Sequence, residues 1–269
     1  MDDDQIVIPF LKWAGGKRWL ISSQSSLFPT SYKRYIEPFL GSGAVFFYLR
    51  PKNAVLSDTN KYLIDTYVAL RDDWKRVVKE LKKHHRKHSK SYYYAVRNTN
   101  LRSPISRAAR FIYLNRTCWN GLYRVNLQGN FNVPIGTKSN VLLDSDEFRQ
   151  IAQLLRPTII LQSDFEPIIA TADADDFIFV DPPYTVKHNF NNFIKYNEKL
   201  FSWDDQIRLK YCLVKAKERG AKIIITNAYH KSIRDLYSDF GELMSVKRQS
   251  IIAANSANRK LCEELIIRA

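Results

Sequence analysis

The sequence predicts an α/β protein, a sheet of alternating strands and helices with helices on both faces, interrupted by a mainly helical insert. Three observations predict it. Short apolar runs bounded by turn residues recur at 35–36, 54–56, 159–161, 177–180, 222–226 and 265–267, as strands do. Amphipathic stretches separate several of them; one, at 203–219, closes on Gly220, a common helix terminator. From about Tyr62 to Arg156 the pattern changes to helical, basic and tyrosine-rich, with one irregular stretch holding Gly121, Gly129, Pro134 and Gly136. Strand–helix alternation implies one layered α/β sheet. The change of pattern divides the chain into a catalytic domain in two segments, 1–61 and 157–269, around an insert at 62–156.

Composition narrows the class. Hydrophobic residues are 45% of 269, with 15 Phe, 15 Tyr and 5 Trp, which supplies a packed core and argues against disorder. No apolar run reaches the length of a membrane span. The start, Met1-Asp2-Asp3-Asp4, lacks the basic opening of a signal peptide, so the expected location is cytoplasmic. Cys118, Cys212 and Cys262 are odd in number and lack metal-type spacing, so neither a disulfide framework nor a thiolate site is expected.

The formal net charge is +15. That suits a polyanionic partner and equally a merely basic enzyme. Its distribution favours the partner: from Arg71 to Arg124 there are 15 Lys or Arg against 3 Asp or Glu. Within this segment His84 and His88 share a helix face. That spacing can bind zinc, but no acid lies between them and no Cys is near, so a solvated basic face is expected and no metal site.

The strongest local signal is Asp181-Pro182-Pro183-Tyr184 after the apolar run Phe177-Ile178-Phe179-Val180. A strand ending there places the tetrapeptide at the carboxyl edge of the sheet, where open α/β folds bind ligands. The prolines cannot continue a ladder and stiffen the turn. An exocyclic amino nitrogen is a poor nucleophile because its lone pair is delocalised into the ring. Asp181 and the Pro182 carbonyl, as two fixed acceptors, would favour a pyramidal nitrogen, and Tyr184 would stack on the base. That is positioning and electrostatics. A turn with an N-capping Asp would use the same residue types, but the preceding strand and the other motifs favour chemistry.

Glu37-Pro38-Phe39-Leu40-Gly41-Ser42-Gly43 follows a short strand and opens a helix at 44–49. Its glycines let backbone approach a ligand. Asp58 ends the next apolar run, a position suited to ribose hydroxyls. The pair fits an adenosine-containing cofactor without choosing a dinucleotide over S-adenosylmethionine. Upstream, Trp13-Ala14-Gly15-Gly16-Lys17 resembles a fragment of a phosphate loop, but Arg18 stands where Ser or Thr is required. Lys17 could instead hold a carboxylate, and Trp13 could cover a sulfonium or an adenine. In the irregular stretch, Asn115, Arg116, Trp119, Asn120, Arg124, Asn126 and Asn132 are residue types that read base edges and wedge duplexes. A buried structural loop has the same composition.

Together these motifs resemble the DNA adenine methyltransferases of the Dam type, in the order called class alpha. The resemblance covers nearly the whole chain, from Phe10-Leu11-Lys12-Trp13-Ala14-Gly15-Gly16-Lys17 to the run 259–267. It implies a Rossmann-like S-adenosylmethionine-dependent sheet with the insert 62–156 as target-recognition domain. It implies that Trp13, Lys17, Glu37, Gly41, Gly43, Asp58, Asp164, Phe165 and Asp181 contact or border S-adenosylmethionine. Asp181 to Tyr184 would hold a flipped adenine. Lys12, Trp119, Asn120, Leu122, Arg124, Asn126, Asn132 and Pro134 would contact double-stranded DNA at a GATC site, with Lys12 on the first guanine and Arg124 on a later base pair. Trp119 stands where relatives usually have a Tyr wedge, and the loop 250–258 lacks their glycine. Lys138 and the basic helices before Arg110 are assigned phosphate contacts only. The implied protein is a monomer with no obligate protein partner. Rivals are an adenine methyltransferase acting on another DNA site or on RNA, an inactive DNA-binding relative, and a nicotinamide oxidoreductase, which would share only the glycine loop.

Overall fold

In the computed structural model the described residues are 7–121, 123–126, 131–186, 201–249 and 261–269. They resolve into two compact units: residues 1–23, 41–50 and 60–162, and residues 24–40, 51–59 and 163–269.

The second unit carries most of the sheet. Its strands are β1 (Tyr35–Glu37), β2 (Ala54–Asp58), β4 (Phe177–Val180), β5 (Lys222–Ala228), β6 (Glu242–Gln249) and β7 (Leu261–Arg268). With β3 (Thr158–Gln162) the order is β3-β2-β1-β4-β5-β7-β6. Strands β1, β2, β4 and β5 pair in parallel, and β7 is antiparallel to both β5 and β6. A dinucleotide-binding Rossmann sheet has the order 3-2-1-4-5-6; here a reversed strand enters between β5 and β6. The fold is a Rossmann-like α/β sheet of the methyltransferase kind.

Central strands are buried on both faces, which is why β4 is an unbroken apolar run. One face presents Ile36, Val55, Ile178, Val180, Ile223, Ile225, Leu265 and Ile267 to α7 (Phe165–Ala170), α8 (Trp203–Glu218) and α9 (Lys231–Leu236). Alternate residues turn the other way, and Phe177 and Phe179 meet the edge of Phe28 at 6.3 Å. The start of α8 is set by a reciprocal capping box between Ser202 and Asp205, and Gly220 after its end has φ +93°.

One strand goes beyond the sequence reading. None of the six residues Glu242 to Lys247 of β6 is buried. An edge strand packs on one side only, so it lacks the apolar alternation that betrays a buried one.

The first unit is mainly helical: α1 (Arg18–Gln24), α2 (Ala44–Leu49), α3 (Lys61–Lys87), α4 (Lys90–Asn98), α5 (Pro104–Thr117) and α6 (Phe148–Leu155). The long α3 kinks at Asp73, whose carboxylate accepts Arg76 N and restarts the helix. Ser89 and Ser103 cap α4 and α5, and Pro104 occupies the first position of α5. Tyr67, Leu70, Val77 and Leu81 of α3 and Ile112, Tyr113 and Leu114 of α5 are buried. Phe10 fits edge-on against Tyr67 at 5.1 Å and tilts over Phe148 at 6.4 Å.

Two of the three histidines of the basic segment, His84 and His88, turn to phenols. His84 Nδ1 lies 2.9 Å from Tyr92 Oη and His88 Nδ1 2.9 Å from Tyr113 Oη, and the His84 ring stacks on Tyr113 at 4.8 Å. Burial lowers the His84 pKa to about 4, with the Arg110, Lys83 and Lys87 cations adding to it and Glu80 opposing. A folded-state pKa below the unfolded value means the unfolded chain binds more protons. Stability from neutral His84 is therefore full above pH ~6.5 and is lost as pH falls toward ~4, by up to about 3 kcal/mol. Replacing His84 by Phe should flatten the stability–pH curve in that window, measured by urea unfolding; an unchanged slope would contradict the assignment.

Candidate active site and DNA-recognition loop

In the second unit the expected catalytic residues emerge from the carboxyl end of β4. Asp181 follows Val180, Pro182 is buried, and Pro183 and Tyr184 are partly exposed. Thr226 of β5 donates to Asp181 Oδ1 at 2.8 Å, and Tyr184 Oη donates to Glu264 Oε2 of β7 at 2.7 Å. The turn is closed further by Thr185, whose hydroxyl donates to the Phe201 carbonyl at 2.6 Å. Burial, then the Asp181 and Glu264 carboxylates, hold the Tyr184 pKa well above its ordinary value. The phenol therefore stays protonated and acts as the donor.

Neighbouring strands end in acids. Glu37 terminates β1, is 3% exposed and accepts Tyr35 Oη at 2.8 Å; Asp58 terminates β2 and is partly exposed. Asp164 and Phe165 begin α7. The Asp164 carboxylate caps the helix by accepting Glu166 N and takes two hydrogen bonds from Arg208, at 2.7 and 3.0 Å. Desolvation pushes the Asp164 pKa up, and the bonds from Arg208 and Glu166 N outweigh it, leaving it below the ordinary value. Phe165 is 2% exposed, stacked on Phe39 at 5.5 Å, with the Arg208 guanidinium 4.2 Å from its ring. Sequence reasoning missed Arg208, Thr226 and Glu264. Only the 202–205 capping pattern marks the start of α8, and nothing local announces their partners.

The first unit holds the remaining expected cofactor residues. Lys17 is 3% exposed and donates to Gly15 O at 2.5 Å. Gly41 (φ +49°) and Gly43 (φ +64°) lie before α2 in left-handed backbone. A Cβ on Gly41 would meet Trp13 Cδ1 at 2.8 Å, so glycine lets the indole lie on the turn. Trp13 in turn stacks on Tyr123 at 5.6 Å.

The same unit builds the expected DNA-contacting loop. Trp119, 47% exposed, donates its backbone N–H to Pro134 O at 2.9 Å. Asn120 has φ +55°, a conformation Asn tolerates better than most residues. Bridges Cys118–Ile135 and Val125–Phe131 pair the two arms, and Arg124 Nε donates to Asn132 Oδ1 at 3.1 Å. Trp119, Arg124, Val133 and Pro134 line a cavity of about 190 Å³. Asn126 is exposed. Leu122, Gly129 and Asn130 lie outside the described residues, as does the loop 250–258.

Lys12 joins this loop. Asn115 Oδ1 accepts Lys12 N at 2.9 Å, and Asn115 Nδ2 donates to Lys12 O at 2.8 Å and Gly121 O at 3.3 Å. A Cβ on Gly121 would sit 2.6 Å from Lys12 Cδ; the lysine stem crosses the loop where only glycine fits. Partial burial, then Lys138, push the Lys12 pKa down. Arg116 turns inward instead. It is 3% exposed, paired with Asp146 through two 2.6 Å hydrogen bonds, and donates to the carbonyls of Phe10 and Val141. It builds the loop rather than reading bases.

The profile of the D12 class N6 adenine-specific DNA methyltransferases matches residues 13–252. The chain belongs to this family. Curated relatives align over almost their full length. The methyltransferase is 36% identical to the type II methyltransferase M.MjaIII of Methanocaldococcus jannaschii, over 97% of this chain and 98% of that one. It is 34% identical to the type II methyltransferase M1.LlaDCHI of Lactococcus lactis subsp. cremoris, over 96% and 94%. It is also 34% identical to the DNA adenine methylase of Haemophilus influenzae, over 96% and 92%. The methyltransferase acts on the N6 amino group of adenine in DNA. Among the described residues no helix is long and apolar enough to cross a membrane.

Proposed function

We propose that this methyltransferase moves a methyl group from S-adenosylmethionine to a flipped adenine in duplex DNA, at the sequence GATC. The observation that carries the chemistry is Asp181-Pro182-Pro183-Tyr184 at the carboxyl end of β4, with Asp181 held by Thr226 at 2.8 Å. S-adenosylmethionine, when bound, supplies an electrophilic sulfonium methyl. Taken unit by unit, the chemistry suits it: in the first unit the buried Lys17 suits a carboxylate, Trp13 a sulfonium and the turns at Gly41 and Gly43 close backbone approach, and in the second Asp58 suits ribose hydroxyls. The resemblance adds Glu37, Asp164 and Phe165 to this set; Glu37 also accepts Tyr35 Oη, Asp164 is held by Arg208 and Phe165 stacks on Phe39.

Asp181 and the Pro182 carbonyl accept the two amino hydrogens and hold the nitrogen with its lone pair directed outward. Tyr184 stacks on the base. Nothing covalent is required, so the residues work through position and fixed dipoles. Flipping costs a few kcal/mol of unstacking, and in this reading the exposed Trp119 fills the vacated space in the duplex. The reversed β7 and the basic insert favour this reading over a nicotinamide enzyme. Ultraviolet crosslinking separates the two: labelled S-adenosylmethionine should attach and labelled NAD should not, and the reverse would overturn the cofactor assignment.

Recognition is assigned to the segment 62–156 with Lys12. The GATC reading rests on the resemblance of Lys12, Trp119, Asn120, Leu122, Arg124 and Pro134 to the family positions and on the likeness to the Haemophilus influenzae DNA adenine methylase. Asn126 and Asn132 support the loop, Asn132 through Arg124. Arg124 lines the loop cavity with its guanidinium oriented by Asn132, as a base-reading arginine requires. Arg124→Ala should cost about 1–3 kcal/mol of discrimination at one base pair. The check is relative kcat/KM on duplexes substituted at each position of the site; an equal loss on every sequence would mark a phosphate contact instead.

A further inference from the structure

Behind the tetrapeptide lies a buried carboxylate that the reaction as described does not use. Glu264 is 2% exposed and sits in β7 among Leu265, Ile266 and Ile267, each 1% exposed or less. A carboxylate in such surroundings is costly unless hydrogen-bonded. The Tyr184 hydroxyl donates to it at 2.7 Å, across 80 residues of sequence. Register explains the meeting. In the antiparallel β5–β7 pair Thr226 faces Ile266 and Ala228 faces Glu264. Facing residues project to the same side, so Thr226 and Glu264 are diagonal neighbours on one face of the sheet. The first holds Asp181 and the second holds Tyr184.

We propose that Glu264 is a positioning residue for methyl transfer: through its hydrogen bond it fixes the Tyr184 ring in the plane on which the target adenine stacks. This rests on the reading that Tyr184 stacks on the base. A tyrosine held only by its backbone can turn about χ1 and χ2. A hydroxyl anchored to a β-strand removes that freedom before DNA arrives, so no ordering is left for the bound state. The raised pKa of the phenol agrees with the donor role. Thr226 and Glu264, on adjacent strands of one rigid sheet, tie the amino-group acceptor and the stacking ring to a common frame.

The test is a double-mutant cycle of Tyr184→Phe and Glu264→Gln, with Tyr184→Ala as a separate probe of the ring. The readouts are kcat and KM for methyl transfer into a duplex, the fluorescence of 2-aminopurine placed at the target adenine, and Tm. Glu264→Gln should lower kcat roughly tenfold, below the ~10²-fold cost of a full ångström of misplacement. KM for DNA should change little, and the 2-aminopurine signal of the flipped base should rise as stacking on Tyr184 loosens. In the Tyr184→Phe background the same substitution should change kcat less than twofold, because the bond it weakens is already gone. Effects that multiply in the double variant, or a kcat loss that tracks Tm alone, would overturn the proposal. If Tyr184→Ala loses activity while Tyr184→Phe and Glu264→Gln keep the wild-type rate, the stacking ring stands and the tether is wrong. If Tyr184→Ala itself keeps the wild-type rate and signal, the stacking reading fails, and the tether fails with it.

Discussion

Asp181→Ala is expected to abolish methyl transfer, a fall in kcat on the order of 10³-fold or more, while DNA binding is kept. Removing one fixed hydrogen-bond partner from a reacting group costs about 10²–10³-fold. In the proposed reading Asp181 acts on the nucleophile itself, so its loss belongs at or above the upper end. The carboxylate stands at the end of a fully buried strand and accepts the Thr226 hydroxyl at 2.8 Å. Its removal leaves Thr226 without that acceptor and the adenine amino group with the Pro182 carbonyl alone. The loop proposed to contact DNA belongs to the other compact unit, so affinity for duplex should move less than twofold by fluorescence anisotropy. Retained turnover above about a tenth of wild type would remove Asp181 from the catalytic role.

Arg116→Ala is the largest stability effect expected. The guanidinium is 3% exposed and makes two 2.6 Å bonds to Asp146, itself 9% exposed at the side chain. It also satisfies the carbonyls of Phe10 and Val141. Deleting one partner of a buried pair strands the other charge, at about 3–5 kcal/mol, and here two backbone acceptors lose their donor as well. For a chain of this size that corresponds to a Tm lower by roughly 10 °C. Calorimetry decides it, and a shift below about 2 °C would return Arg116 to the set of solvent-facing arginines that its sequence neighbourhood also allowed. Since Phe10 O anchors the segment leading to Lys12, DNA affinity should fall together with Tm rather than independently of it.

What could be read in advance follows a physical division. Strand β4 and its tetrapeptide were legible because a parallel strand buried on both faces is a continuous apolar run and two prolines announce its end. The helix at 203–219 was legible for its amphipathic pattern and its terminal glycine. Strand β6 was not, because an edge strand with no buried residue among those described carries no such run. Ile159 and Leu161 were expected in a strand and are found in β3, yet both are exposed, since β3 is the opposite edge. Residue types in the stretch around Trp119 could not reveal facing: Arg116 and Arg124 look alike in sequence, and only the fold turns one to Asp146 and the other to the loop cavity. Thr226, Arg208 and Glu264 were illegible for a further reason. Their partners lie 45, 44 and 80 residues away; sheet register joins Thr226 and Glu264 to theirs, and the packing of α8 beside the start of α7 joins Arg208 to Asp164.

The most direct test of the central claim is transfer of labelled methyl from S-adenosylmethionine into two duplexes that differ only in carrying GATC or GTAC. Label in the GATC duplex alone, recovered as N6-methyladenine, is the predicted result. Label in both would keep the adenine chemistry and contradict the assigned site; label in neither, with duplex binding intact, would contradict the assignment of donor and target together.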